Sequence, residues 1–166
     1  VYVRLRNTVG MLVEAAKLLD VPLITTEQYP QGIGHTVPEL AGSCSDKVVE
    51  KVSFGCCGDE GFEQALAAVR PGVTPDQRQV VVAGIEAHVC VMQTVVEAIR
   101  AGNAVHLCWE CVSGRGVEYR QWALERMQQA GAVVTNHESV AFEWARSKEH
   151  PCFRAMNRLL REGQIE

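Results

Sequence analysis

A β-branched run that ends in glycine and gives way to a helix-forming segment constrains this chain more than any other feature. Gln79-Val80-Val81-Val82-Ala83-Gly84 leads into Ile85-Glu86-Ala87-His88-Val89-Cys90-Val91. A continuous apolar run bounded by breakers suits a parallel strand covered on both faces, here Val80 to Val82. From Val91 the pattern changes, with Val91, Val95, Ala98 and Ile99 at helical spacing and Gln93, Glu97 and Arg100 between them. Cys90 therefore falls where a strand turns into a helix. In open α/β folds that place is the carboxyl edge of the sheet, where ligands bind. The unpaired N–H groups and positive dipole end of a helix N-terminus favour thiolate over thiol. Cys90 is the candidate nucleophile.

The remainder of the sequence repeats the same alternation. Residues 1–19 carry a helical stripe through Val1, Leu5, Val9, Leu12, Val13, Ala16 and Leu19. Pro22 precedes a strand at Leu23-Ile24-Thr25-Thr26. Residues 31–42, with Gly32, Gly34, Pro38 and Gly42, read as loop with at most one turn of helix. Further strands are expected at Lys47-Val48-Val49-Glu50-Lys51, Val105 to Cys108 and Val133-Val134-Thr135. Further helices are expected through Phe62 to Val69, Trp122 to Gln129, Phe142 to Ala145 and Phe153 to Leu160. The result is one α/β domain over residues 1–166, with a parallel sheet and helices on both faces. It opens on a helix rather than a strand. A doubly wound sheet would then lack its first, central strand, leaving two unpaired edges in the core. The expectation is a domain incomplete at its N-terminus, with a further strand upstream or an element of a neighbouring subunit in the gap.

Composition narrows the function classes. Of the 166 residues 47% are hydrophobic and 22% charged, as in an ordinary globular protein. Net charge is −4 with Lys and Arg scattered, which gives no support to nucleic-acid binding. No apolar run approaches the roughly 20 residues that span a bilayer, and no secretory signal is evident. A cytoplasmic protein without membrane partners is expected. The seven cysteines are odd in number and lack the spacing of a disulfide framework. Cys108-Trp109-Glu110-Cys111 is formally a C-x-x-C pair. It falls at the end of a strand and its loop, with no second pair at zinc-finger spacing, so a strand end outweighs a redox or zinc reading.

Three segments resemble a known family. Thr26-Glu27-Gln28-Tyr29-Pro30-Gln31-Gly32-Ile33-Gly34, Lys51-Val52-Ser53-Phe54 and Gly84-Ile85-Glu86-Ala87-His88-Val89-Cys90-Val91-Met92-Gln93-Thr94 are similar to the isochorismatase-like cysteine hydrolases, in order and spacing over nearly the whole chain. The first segment most resembles the branch of isochorismatase domain-containing proteins. The resemblance implies a Rossmann-like three-layer α/β/α fold and a Cys-Lys-Asp triad. Cys90 matches the nucleophile and Lys51 the lysine that lowers its pKa. Ile85-Glu86 matches a non-proline cis peptide whose N–H forms an oxyanion hole with that of Cys90. The family aspartate lies in a D-x-Q motif after the first strand, which this sequence lacks; Asp20 does not match it.

The implied chemistry is hydrolysis of an amide or related C–N bond in a small molecule, through a thioester on the cysteine. A degenerate domain kept for protein–protein association is the alternative, and a redox-sensing thiol protein a third. Glu27 either lines the pocket or fixes its loop, while Tyr29 and the Gly32/Gly34 loop border the pocket. His88 packs or faces solvent rather than serving as a base. Neither a cofactor nor a metal site is expected, since no D-x-H motif accompanies His35. Trp122, Phe142 and Trp144 exceed what one sheet face buries, which points to a homo-oligomer, a dimer or larger.

Overall fold

A computed structural model describes residues 2–44 and 48–163. Val1 of the expected first helix and Lys47 of the expected second strand lie outside them. Helix α1 (Tyr2–Leu18) buries Thr8, Met11, Leu12, Ala15 and Ala16 at helical spacing, and Pro22 follows close behind its end. Strand β1 (Thr25–Gln28) begins two residues later than the sequence pattern suggests. Two one-turn helices follow, α2 (Pro30–Ile33) and α3 (Pro38–Ala41), where at most one turn was expected. Each starts on a proline, whose fixed φ presets the first helical residue and whose missing N–H is not needed there. Strand β2 (Val48–Lys51) runs parallel to β1, from Thr25 opposite Val48 to Gln28 opposite Lys51. Helix α4 (Glu60–Val69) starts under the Asp59 carboxylate, which accepts the Phe62 N–H at 3.1 Å.

Strand β3 (Gln79–Ile85) and helix α5 (Met92–Arg100) are joined by a π-helical turn over Ala87–Val91. Then come β4 (Ala104–Ser113), α6 (Val117–Gln129), β5 (Val133–Thr135), α7 (His137–Ala145) and α8 (Phe153–Glu162). The order β3-β4-β5 is parallel throughout. One reading of the sequence is corrected here. Cys108-Trp109-Glu110-Cys111 is not the loop after a short strand but lies inside β4. Val82 stands opposite Leu107 and Gly84 opposite Val112, so Ala83 alone faces all four residues. The chain bulges outward and rejoins the ladder instead of leaving it.

Helices cover both faces of this sheet. On one side Val91, Val95 and Ala98 pack with Val105, Leu107, Val112 and Met127. On the other, Leu12 of α1 and Val140 of α7 enclose Cys108 and Cys111, with Val81 and Ala83 against them. This is the three-layer α/β arrangement expected from the sequence. Among the described residues, however, the strands form two sheets, β1-β2 and β3-β4-β5, with no ladder between β1 and β3. Thr25–Gln28 are all only partly buried, as are Val80–Gly84, whereas Val105, Leu107 and Cys108 in β4 are buried completely or nearly so. Each sheet thus presents a half-open edge strand.

Candidate functional site

The carboxyl ends of the two sheets meet around Cys90. Lys51, the last residue of β2, is buried to 5% exposure, an uncommon state for a lysine. Its ammonium donates to the carbonyl oxygens of Ser53 at 2.7 Å and Phe54 at 2.8 Å. The two carbonyls hold it fixed while leaving its charge uncompensated by a carboxylate in these bonds. Cys90 sits half-buried in the π-helical turn after β3. Burial pushes its thiol above the ordinary range. The nearby Lys51 charge and the Glu86 N–H act in the opposite direction without overcoming it. The helix N-terminus in the sequence pattern favours a thiolate, whereas desolvation in the fold opposes it.

Ile85–Glu86 is a cis peptide bond. The Glu86 carboxylate is gripped by the exposed Arg115, whose Nε donates at 3.1 Å; that bond holds its carboxyl below the usual range, and its charge adds to the rise of the Cys90 thiol. Val89 and Val91 donate their N–H groups to the Glu86 carbonyl, closing the turn that carries Cys90. His88 stacks on Tyr119, with centroids 5.0 Å apart, and so packs as expected.

The loop residues divide. Glu27 accepts the Thr36 N–H at 2.6 Å on one oxygen and the His35 ring at 2.8 Å on the other. It therefore fixes the loop after β1, and those hydrogen bonds lower its pKa, Thr36 contributing most. Tyr29 is half-exposed at φ 44°, and its N–H bonds to the Lys51 carbonyl at 2.8 Å, which seats the loop beside the lysine. Gly34, at φ 92°, ends α2 at the surface. Such a φ is one that glycine adopts without steric cost.

Two residues at this junction escaped the sequence reading. The Cys56 N–H donates to Thr94 Oγ1 at 3.1 Å, and that hydroxyl donates to the Cys90 carbonyl at 2.8 Å. Cys56 Sγ also lies 3.8 Å from Thr26 Oγ1 of β1. Cys56 and Thr94 thus tie the loop after β2 to the Cys90 turn. The signal available in the sequence was Gly55, where a Cβ would come within 2.2 Å of the Glu97 carboxylate on α5. The glycine leaves the Glu97 carboxylate its place beside the loop.

An isochorismatase domain model matches residues 3–139. Isochorismatase domain-containing protein 1 of Danio rerio is 37% identical over 155 residues, 93% of this chain and 53% of that protein. The chain thus spans about half the length of that relative. Isochorismatase domain-containing protein 2 of Xenopus laevis is 36% identical, over 94% of this chain and 73% of its own. Among solved structures, the MAR1 ribonuclease of Caenorhabditis elegans superposes with a TM-score of 0.84 at 34% identity, covering 95% of this chain and 78% of its own. The YcaC protein of Escherichia coli, described as an octameric hydrolase of unknown specificity, gives a TM-score of 0.85 at 27% identity, covering 98% and 77%. With its core strands, its loop segments and the Cys90 turn all inside the matched span, the chain belongs to the isochorismatase family.

Proposed function

We propose that this chain forms the nucleophile-bearing part of a small-molecule cysteine hydrolase that cleaves an amide or related C–N bond. The observation that carries the reading is the Lys51 ammonium, buried, fixed by two carbonyls and acting on the Cys90 thiol where both sheets end. A buried cation costs folding energy unless it is paired, and a site where charge develops during a reaction is where such an arrangement is useful.

The chemistry runs in two halves. The Cys90 thiol passes its proton to a carboxylate base, and the sulfur attacks the carbonyl carbon of the substrate. The N–H groups of Glu86 and Cys90 receive the developing oxyanion. Collapse expels the amine, which leaves with the proton from the base, and a thioester remains on Cys90. Water, deprotonated by the same base, cleaves the thioester and returns the thiol. Burial raises the Cys90 thiol, which gives the base its task in the first half. The family resemblance assigns it to an aspartate on a strand that would lie between the edges of β1 and β3.

Self-association belongs to the same reading. The YcaC relative is octameric by its description, and here Val117, Tyr119 and Trp122 stand exposed on α6, Tyr119 touching His88 beside the Cys90 turn. No helix among the described residues is long and apolar enough to cross a membrane.

Incubation with a panel of small primary amides, followed by intact-mass and peptide mass spectrometry, tests the proposal. An acyl adduct confined to Cys90, and lost in Cys90→Ser, is expected. Adducts spread over several cysteines, or RNA cleavage that persists in Cys90→Ala, would sink it; the latter outcome would favour the activity named for the C. elegans relative.

A further inference from the structure

Away from Cys90, β4 and α7 enclose a second group of donors. Its elements are the bulge in β4, the N-terminus of α7 and the middle of α1. The Glu110 carboxylate, the Cys111 sulfur and a ring nitrogen of His137 all lie within 4.8 Å of one another. Glu110 and His137 are each about nine-tenths buried, and Cys111 is completely so. Glu110 Oε1 takes both the His137 N–H, at 2.6 Å, and the His137 Nδ1. That leaves Glu110 Oε2 and His137 Nε2 buried without a hydrogen-bond partner. A buried polar atom without a partner costs on the order of 1–3 kcal/mol, and two at one place need an explanation. Both residues line a cleft of about 330 Å³ that also borders Thr8, Trp109 and Asn136.

We propose that Glu110, Cys111 and His137 form a binding site for a divalent transition-metal ion of the zinc type, with the fourth ligand position open to water from this cleft. The donor set decides the kind of ion. Imidazole nitrogen, thiolate sulfur and carboxylate oxygen together suit zinc or cobalt, whereas magnesium and calcium take oxygen ligands alone. Bonds of ~2.0–2.3 Å in a tetrahedron set donors roughly 3.3–3.8 Å apart, so Glu110 Oε1 and His137 Nδ1, hydrogen-bonded at 2.5 Å, must part as an ion takes the place of the proton between them, with the Cys111 sulfur within 4.8 Å of both.

The charges also balance. Binding one dication through the thiolate sends the Cys111 thiol proton to solvent, and carboxylate, thiolate and neutral imidazole then give a neutral site. No metal site is expected from the sequence, which has neither a second cysteine pair at zinc spacing nor a D-x-H motif. The remaining ligands come instead from within the bulge and from an α7 residue that the fold brings beside it. The Thr8 hydroxyl on α1 donates to the Glu110 carbonyl at 3.0 Å, so an ion here would pin three elements together.

Because the donors are buried, the ion enters as the chain folds. The test measures zinc in protein purified without chelators from zinc-supplemented cells. It then refolds metal-free protein under reductant with one equivalent of cobalt(II). One zinc per chain is expected, with a thiolate-to-cobalt absorption band and a rise in Tm on adding zinc. Cys111→Ser changes one buried atom and keeps the Glu110 cap on α7. It should abolish the band and weaken zinc binding by about 100-fold or more, as should His137→Ala. Cys57→Ser, outside the site, should leave both unchanged. Substoichiometric zinc, or a band that survives Cys111→Ser in protein with an unchanged far-ultraviolet spectrum, would overturn the proposal.

Discussion

Cys90 and Lys51 pull the same proton equilibrium in opposite directions, and their balance is open to measurement. Burial raises the thiol, with Lys51 the largest influence lowering it. The alkylation rate of Cys90 by iodoacetamide, followed against pH by peptide mass spectrometry, should therefore have its midpoint above the ~8.5 of a free cysteine. Lys51→Met should move that midpoint higher still and slow labelling at neutral pH. A midpoint at or below that of a free cysteine would show that desolvation is not the leading effect. A second thiol gives a stability prediction. Cys57 is raised to about 11, chiefly by burial and then by Glu63 and Glu97. Its folded pKa lies above its unfolded value, so above the unfolded pKa the unfolded chain has lost this proton while the folded chain keeps it. This contribution to stability is fully present below the unfolded pKa and is lost as pH rises toward about 11. Urea midpoints measured across that window should fall with pH, and Cys57→Ser should flatten the fall. Constancy of the midpoint in both proteins would refute it.

The elements were legible wherever a long period or a strong breaker marked them. The stripe of α1, the Val80 strand and the cap before α4 follow from apolar spacing and from Asp59, and Asp59→Ala should cost about 1 kcal/mol in urea unfolding. The extent of β4 was not legible. A bulge that sets Ala83 against Cys108-Trp109-Glu110-Cys111 depends on the partner strand, and the local sequence there resembles a loop. Of the candidate site, Cys90 could be named because it falls where a recognisable strand turns into a helix, whereas Lys51 could be named only through the family resemblance. The tie through Cys56 and Thr94 could not, because it joins residues 38 apart in sequence through a single N–H. Glu27 carried two readings until its hydrogen bonds to Thr36 and His35 placed it in the loop. The half-open strands allow a further test. Alternate amides of Val80–Gly84 face away from β4, so hydrogen exchange there should be fast while Val105–Cys108 are strongly protected. Uniform protection along β3 would show that its free edge is covered.

At the scale of the whole molecule, exposed apolar side chains on α6 and the open strand edges predict association. Sedimentation at micromolar concentration should show a species larger than the monomer, and Trp122→Glu, at a side chain 68% exposed, should shift it toward the monomer. A monomer for the unsubstituted chain would exclude this. The division into two sheets has a separate consequence. Lys51 belongs to β1-β2, whereas Cys90 follows β3 of the larger sheet, whose buried cluster runs through α5, β4 and α6. The smaller unit rests on a core built around Val49, Cys56 and Phe62. A unit with so few buried side chains opens at lower free energy than the larger one. On warming, Cys90 should therefore become more readily alkylated some degrees before the far-ultraviolet signal melts, so that heat unmasks the thiol in a protein that still counts as folded.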